Sequence, residues 1–121
     1  MTHYKTLEAW KKSMLLVKDI YLLTKTFPKE ELYALTSQIR RAAISVPSNI
    51  AEGSGRKHKK ETIQFLHISR GSLYELDTQL NIAMLIKVLN EEKLTPVSHQ
   101  TEECIKILNS LITYYEKSDF K

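Results

Sequence analysis

Only three glycines and three prolines punctuate 121 residues, so few turns can be built from the usual residues and a few long elements are predicted. Apolar residues recur at helical spacing through each uninterrupted stretch. From Leu7 to Phe27, the residues Trp10, Met14, Val17, Tyr21 and Thr24 repeat at alternating steps of four and three. Leu16, Ile20, Leu23 and Phe27 form a second stripe beside them. Together the two stripes exceed what one bundle core requires, so an oligomer seam that includes Trp10 is expected. Pro28 stops this helix. Lys29 to Glu31 are predicted to open the second, whose stripe Leu32, Leu35, Ile39, Ala43, Val46 and Ile50 runs straight through Pro47. A proline there removes a backbone donor and crowds the preceding turn, which predicts a kink or a short break.

Gly53, Ser54 and Gly55 are expected to end the second helix, because glycine readily takes the left-handed conformation common past a helix C-terminus. A third helix is predicted from about His58 to Leu89, with Ile63, Leu66, Arg70, Leu73, Asp77, Leu80, Met84 and Lys87 on one track. Thr95 and Pro96 look like an N-cap and first-turn pair. The stripe Val97, Thr101, Cys104, Leu108, Leu111 and Tyr115 then defines a fourth helix. No period-two alternation competes. Short connections favour antiparallel neighbours, so the expected fold is all-α, an antiparallel up-down-up-down four-helix bundle forming one domain over residues 1–121.

A hydrophobic content of 42% with 26% charged residues argues against disorder across the chain. The single cysteine cannot form an internal disulfide. No apolar run approaches the roughly 20 residues that span a bilayer, and MTHYKTLEAWKK has no secretory apolar core behind its charges. A cytoplasmic protein with no membrane partner is expected.

The charge is uneven. Between Arg40 and Arg70, seven Lys/Arg stand against Glu52 and Glu61, a local +5 in a chain whose net charge is +4. One basic patch on an otherwise balanced domain suits a polyanion. The candidate nucleic-acid contacts are Arg40, Arg41, Arg56, Lys57, His58, Lys59 and Lys60. No aromatic residue interleaves with the run, so binding would be salt-sensitive and would not read sequence. The competing reading is a solvated corner. Asn49 and Glu52 are expected to act structurally, the first beside a carbonyl freed at Pro47, the second by pairing with Arg40 or Arg70. Arg70 and Asp77 occupy apolar-track positions, where polar groups often fix register or a subunit seam.

Catalytic chemistry finds no constellation. A di-iron bundle needs Glu-x-x-His pairs, and none of His58, His67 and His99 has a glutamate three residues before it. His99 with Glu102 and Glu103 lacks a second cluster. Cys104 sits on an apolar stripe, and Gly53-Ser54-Gly55 is too short for a phosphate-binding loop. The chain is expected to be no enzyme and to use no metal or cofactor.

Taken in order, LEAWKKSMLLVKDIYLLTKTFP, QIRRAAISVPSNIAEG and FLHISRGSLYELDTQL resemble small proteins encoded inside intervening sequences of bacterial large-subunit (23S) ribosomal RNA genes. The resemblance covers nearly the whole length, and Val46 to Gly53 is its most specific part. It implies an antiparallel four-helix bundle assembled into a ring of five. A related branch includes the accessory variability protein of diversity-generating retroelements, a basic pentameric barrel that binds nucleic acid beside a reverse transcriptase. The implied partners are therefore further copies of the chain, RNA or DNA, and a nucleic-acid enzyme. The intervening-sequence group itself has no established biochemical role. One departure concerns the start of the third helix, where His58 stands in place of the Ser or Thr that would complete a capping box with Glu61. The expected function is non-enzymatic, sequence-nonspecific binding of nucleic acid, RNA foremost, by a ring-like homo-oligomer. The alternative is a structural or protein-interaction oligomer whose basic corner serves solubility.

Overall fold

The computed structural model describes residues 3–119, and the apolar stripes become four helices: α1 (Glu8–Thr24), α2 (Leu35–Ser54), α3 (Lys59–Leu85) and α4 (Glu91–Lys117). Short 3-10 turns at Tyr4–Thr6 and Lys29–Glu31 precede α1 and α2. No strand occurs among the described residues. Each helix packs on its sequence neighbours and α4 closes onto α1, which leaves α1 and α3, and α2 and α4, on the diagonals.

Cross-helix contacts fix every direction, because residue numbers rise along one helix as they fall along its neighbour. Thr24 meets Arg40. Gly53 meets Thr62 and Ser45 meets Ser72. Lys59 reaches Ser118 while Arg70 reaches Asn109. Lys12 pairs with Glu103 and Asp19 with Gln100. All four adjacent pairs are antiparallel, as the short connections require.

The inward stripe of α1 is Ala9, Ser13, Leu16, Ile20 and Thr24, continued by Phe27. Facing it are Ile39, Ala42, Ala43, Val46 and Ile50 of α2, Leu66, Leu73, Leu76, Leu80 and Ala83 of α3, and Leu94, Val97, Cys104, Leu108 and Ile112 of α4. Each fully buried Leu or Ile contributes about 1.5–3 kcal/mol against exposure. Trp10, Val17 and Tyr21 sit half-buried on the shoulder of α1, and Met14 is 44% exposed. The two predicted stripes thus separate into a core stripe and an outer one. On α3, Arg70 and Asp77 lie on the half-buried shoulder rather than in the core.

Several predicted boundaries move. Lys29 to Glu31 form only a 3-10 turn. Leu32 and Tyr33 are exposed and Ala34 redirects the chain at φ −123°, ψ −102°, so α2 begins at Leu35, where the buried stripe begins. The helix then runs unbroken through Pro47, which rules out the predicted break. No described glycine has positive φ. Gly53 is an internal helical residue: a Cβ there would stand 2.8 Å from the Phe65 Cβ and 3.2 Å from the Thr62 carbonyl oxygen. Glycine serves helix approach here, not a left-handed cap.

The left-handed residue is Lys87, at φ 64°. It ends α3 at Leu85, short of the predicted Leu89, with Lys87 N–H donating to the Met84 carbonyl and Val88 N–H to that of Ala83. That bonding pattern is a Schellman cap. It brings α4 forward: the Asn90 side chain accepts from Lys93 N–H at 2.9 Å and caps the helix, with Glu91 and Glu92 in the first turn. Thr95 is therefore no cap, and its hydroxyl donates to the Glu91 carbonyl inside α4.

Candidate nucleic-acid interface

The basic run forms the corner between α2 and α3, at the end of the bundle that also holds the start of α1 and the finish of α4. Three contacts build this corner. Thr62 donates to the Gly53 carbonyl at 2.8 Å inside the protein, tying the first turn of α3 to the last turn of α2. Arg56 pairs with Glu52 at 2.6 Å, one turn away, and lays its guanidinium 4.7 Å from the Phe65 ring centroid. Lys59 reaches across to α4 and donates to the Ser118 carbonyl at 3.1 Å.

With Arg56 and Lys59 tied back, Lys57, His58 and Lys60 are exposed and their side chains make no hydrogen bond or ion pair among the described residues. Lys59 and Lys60 open α3, and the N-cap His58 gives no side-chain cap. The first-turn N–H groups and the lysines above them thus favour the same sign of ligand, an anion, against the single counterweight of Glu61.

The other predicted contacts do not join them. Arg40 and Arg41 lie on the first half of α2, about 20 Å from the corner by helical rise. Arg40 donates from Nε to Thr24 Oγ1 at 2.8 Å and stacks 4.7 Å over Tyr21, while Arg41 is exposed. The predicted pairing of Glu52 with Arg40 or Arg70 is therefore replaced by the local pair with Arg56. Arg70 instead bonds Asn109 of α4 and the His67 ring. Asp77 is contacted by Asn81, one turn along its own helix. Asn49 donates to the carbonyl and hydroxyl of Ser45, both at 2.9 Å, and Ser69 donates to the Val46 carbonyl. Side chains thus supply extra donors to the backbone around Pro47.

Sequence reasoning missed Phe65, Thr62 and Ser118 as the supports of the corner. Spacing by four could have found Glu52 with Arg56, but contacts from other helices leave no local signal. Trp10 packs edge-on to Tyr4 at 5.5 Å and lines an apolar groove of about 380 Å3 with Met14, Val17, Ile44, Pro47 and Ala51. Cys104 is buried in the core, and burial, with Glu103 beside it, pushes its thiol up to about 11.

A family model described as 23S rRNA-intervening sequence protein matches residues 5–110. Among solved structures, the chain is similar to a protein of unknown function from the S23 ribosomal protein family of Bacteroides thetaiotaomicron. The TM-score is 0.80 at 22% identity, covering 86% of this chain and 97% of that one. At that identity the likeness speaks for the fold alone. No curated protein sequence matches the chain.

Proposed function

The chain belongs to the 23S rRNA-intervening sequence protein family, and from that premise we propose that it is a non-enzymatic cytoplasmic bundle that self-associates and grips RNA, or DNA, without reading its sequence. The observation that carries this reading is the corner at residues 56–60, where Arg56 and Lys59 are spent on protein contacts that hold the turn and Lys57, His58 and Lys60 face solvent without partners. The work done is charge neutralisation. Each phosphate met releases condensed counterions, which gives affinity that falls with salt and is indifferent to base identity. One corner binds weakly, and repetition of it around an oligomer multiplies the contact by avidity.

The apolar groove beside Trp10 supports the oligomeric half of the proposal and is also the observation that favours the second reading, a protein-interaction bundle with no nucleic-acid role. Met14 and Ile44 there are 44% and 42% exposed, a large apolar surface to leave in water. Sedimentation equilibrium of the wild type should give a mass above the 14.0 kDa of one chain, and Ile44→Glu should lower it. A wild type sedimenting as a monomer at micromolar concentration removes self-association.

Lys57→Gln/Lys60→Gln tests the corner without touching a structural contact. Against single-stranded RNA of unrelated sequences, the slope of log affinity on log salt should become shallower by about 1.4, roughly 0.7 for each lost phosphate contact. Circular dichroism should not change. Wild-type protein that binds no RNA or DNA in a salt-sensitive way, or a double variant that binds as well as wild type, replaces this reading with the second.

A further inference from the structure

At the opposite end of the bundle from the basic corner, the turn between α1 and α2 borders an open pocket of about 150 Å3. Its lining includes Thr24, Lys25, Phe27, Lys29, Thr36 and Arg40. Three cations line it and no acid does. Arg40 is half-buried and held in place: Nε is spent on Thr24 Oγ1, and its plane lies over Tyr21. Its two terminal nitrogens make no hydrogen bond or ion pair among the described residues. A planar fork fixed at one edge and unpaired at the other is prepared for a bidentate oxyanion.

A second, independent observation lies beside it. Thr36 is 2% exposed, and its Oγ1 has no hydrogen-bond partner. Buried hydroxyls are almost always satisfied, so an orphan one in a cation-lined pocket indicates a missing acceptor. The start of α2 adds to this, since Ala34 provides no side-chain cap and its first turn holds no acid. The carbonyls ending α1 do not compensate, because those of Tyr21, Leu23 and Thr24 already accept from Lys25, Thr26 and Phe27.

We propose that this pocket binds a single phosphate group, with the terminal nitrogens of Arg40 and the Thr36 hydroxyl as direct donors and Lys25 and Lys29 as flanking charges. Three cations match a dianion better than a carboxylate. A volume of about 150 Å3 has room for one phosphate group. The group can arrive as inorganic phosphate or as the terminal phosphate of a nucleic-acid strand. The site is independent of the proposed corner.

Amide chemical shifts of the full-length protein test the proposal, with inorganic phosphate titrated against chloride at matched ionic strength, and 5′-phosphorylated diuridine against the same dinucleotide ending in a hydroxyl. Saturable shifts confined to residues 25–40 are expected with phosphate or with the 5′-phosphorylated dinucleotide, and the two arms distinguish free from strand-borne phosphate. Arg40→Lys, which keeps the charge and loses the fork, should weaken binding roughly tenfold or more. Thr36→Val should weaken binding severalfold while leaving the phosphate-free melting temperature unchanged or raised, since it removes an unsatisfied buried hydroxyl. Lys57→Gln/Lys60→Gln should bind phosphate as wild type does, which separates this site from the corner. No saturable shift with either phosphate ligand overturns the proposal, as does binding that both Arg40→Lys and Thr36→Val leave intact.

Discussion

Gly53→Ala, in the last turn of α2, and Gly71→Ala, in the middle of α3, are the same chemical change at a helical position, and they should have opposite signs. At Gly71 an added Cβ meets nothing within 4 Å, so only the backbone term acts and alanine should stabilise by about 1 kcal/mol. At Gly53 the same gain is opposed by a Cβ placed 2.8 Å from the Phe65 Cβ and 3.2 Å from the Thr62 carbonyl oxygen. Neither neighbour is the free end of a flexible side chain. Relief requires α2 and α3 to part, an overpacking cost of about 1–3 kcal/mol. Parting also stretches the buried bond from Thr62 to the Gly53 carbonyl, worth about 1 kcal/mol. The net loss is about 1–3 kcal/mol, and the two variants should differ by about 2–4 kcal/mol. Urea unfolding at fixed protein concentration reads this as a shift of midpoint with unchanged slope. If Gly53→Ala stabilises as much as Gly71→Ala, the close approach of α2 and α3 at the corner is wrong, and with it the account of what holds the basic turn in place.

Two further outcomes follow from single residues. Lys87→Gly should raise stability by about 1 kcal/mol in the same urea assay, because the residue holds a left-handed conformation at φ 64° where a side chain costs energy. Cys104, whose thiol is raised from 9.0 to about 11 by burial and then by Glu103, should resist alkylation until the protein unfolds. The unfolded thiol ionises first as pH rises, so the stability it provides is complete below pH 9 and disappears as pH climbs towards 11. Across that window the wild type should lose about 2–3 kcal/mol more than Cys104→Ala.

Four helices and their inward stripes were legible because a stripe such as Val97, Thr101, Cys104 and Leu108 records burial directly, and all four of these residues are buried. Ends were harder to read. Thr95-Pro96 and Asn90-Glu91-Glu92 are both plausible helix starts, and only the Schellman cap at Lys87 decides between them by ending α3 early. Nothing in a lysine codon announces positive φ. Gly53 was recognised as special for the wrong reason, since local rules see conformational freedom and only packing reveals Phe65 against it. The basic run was plain from its charges, but its grouping with Arg40 and Arg41 ignored the rise of a continuous α2, which carries those two to the opposite half of the bundle.

The most direct test of the central claim is hydrogen exchange of the wild-type protein with and without a single-stranded RNA of mixed sequence that ends in a 5′-hydroxyl. At low salt, RNA should slow exchange at residues 55–62, where the unpartnered lysines and the first turn of α3 meet, and the effect should vanish as salt is raised. Slowed exchange centred elsewhere, such as the α3–α4 turn around Lys87, or no RNA-dependent change at any salt concentration, would contradict it.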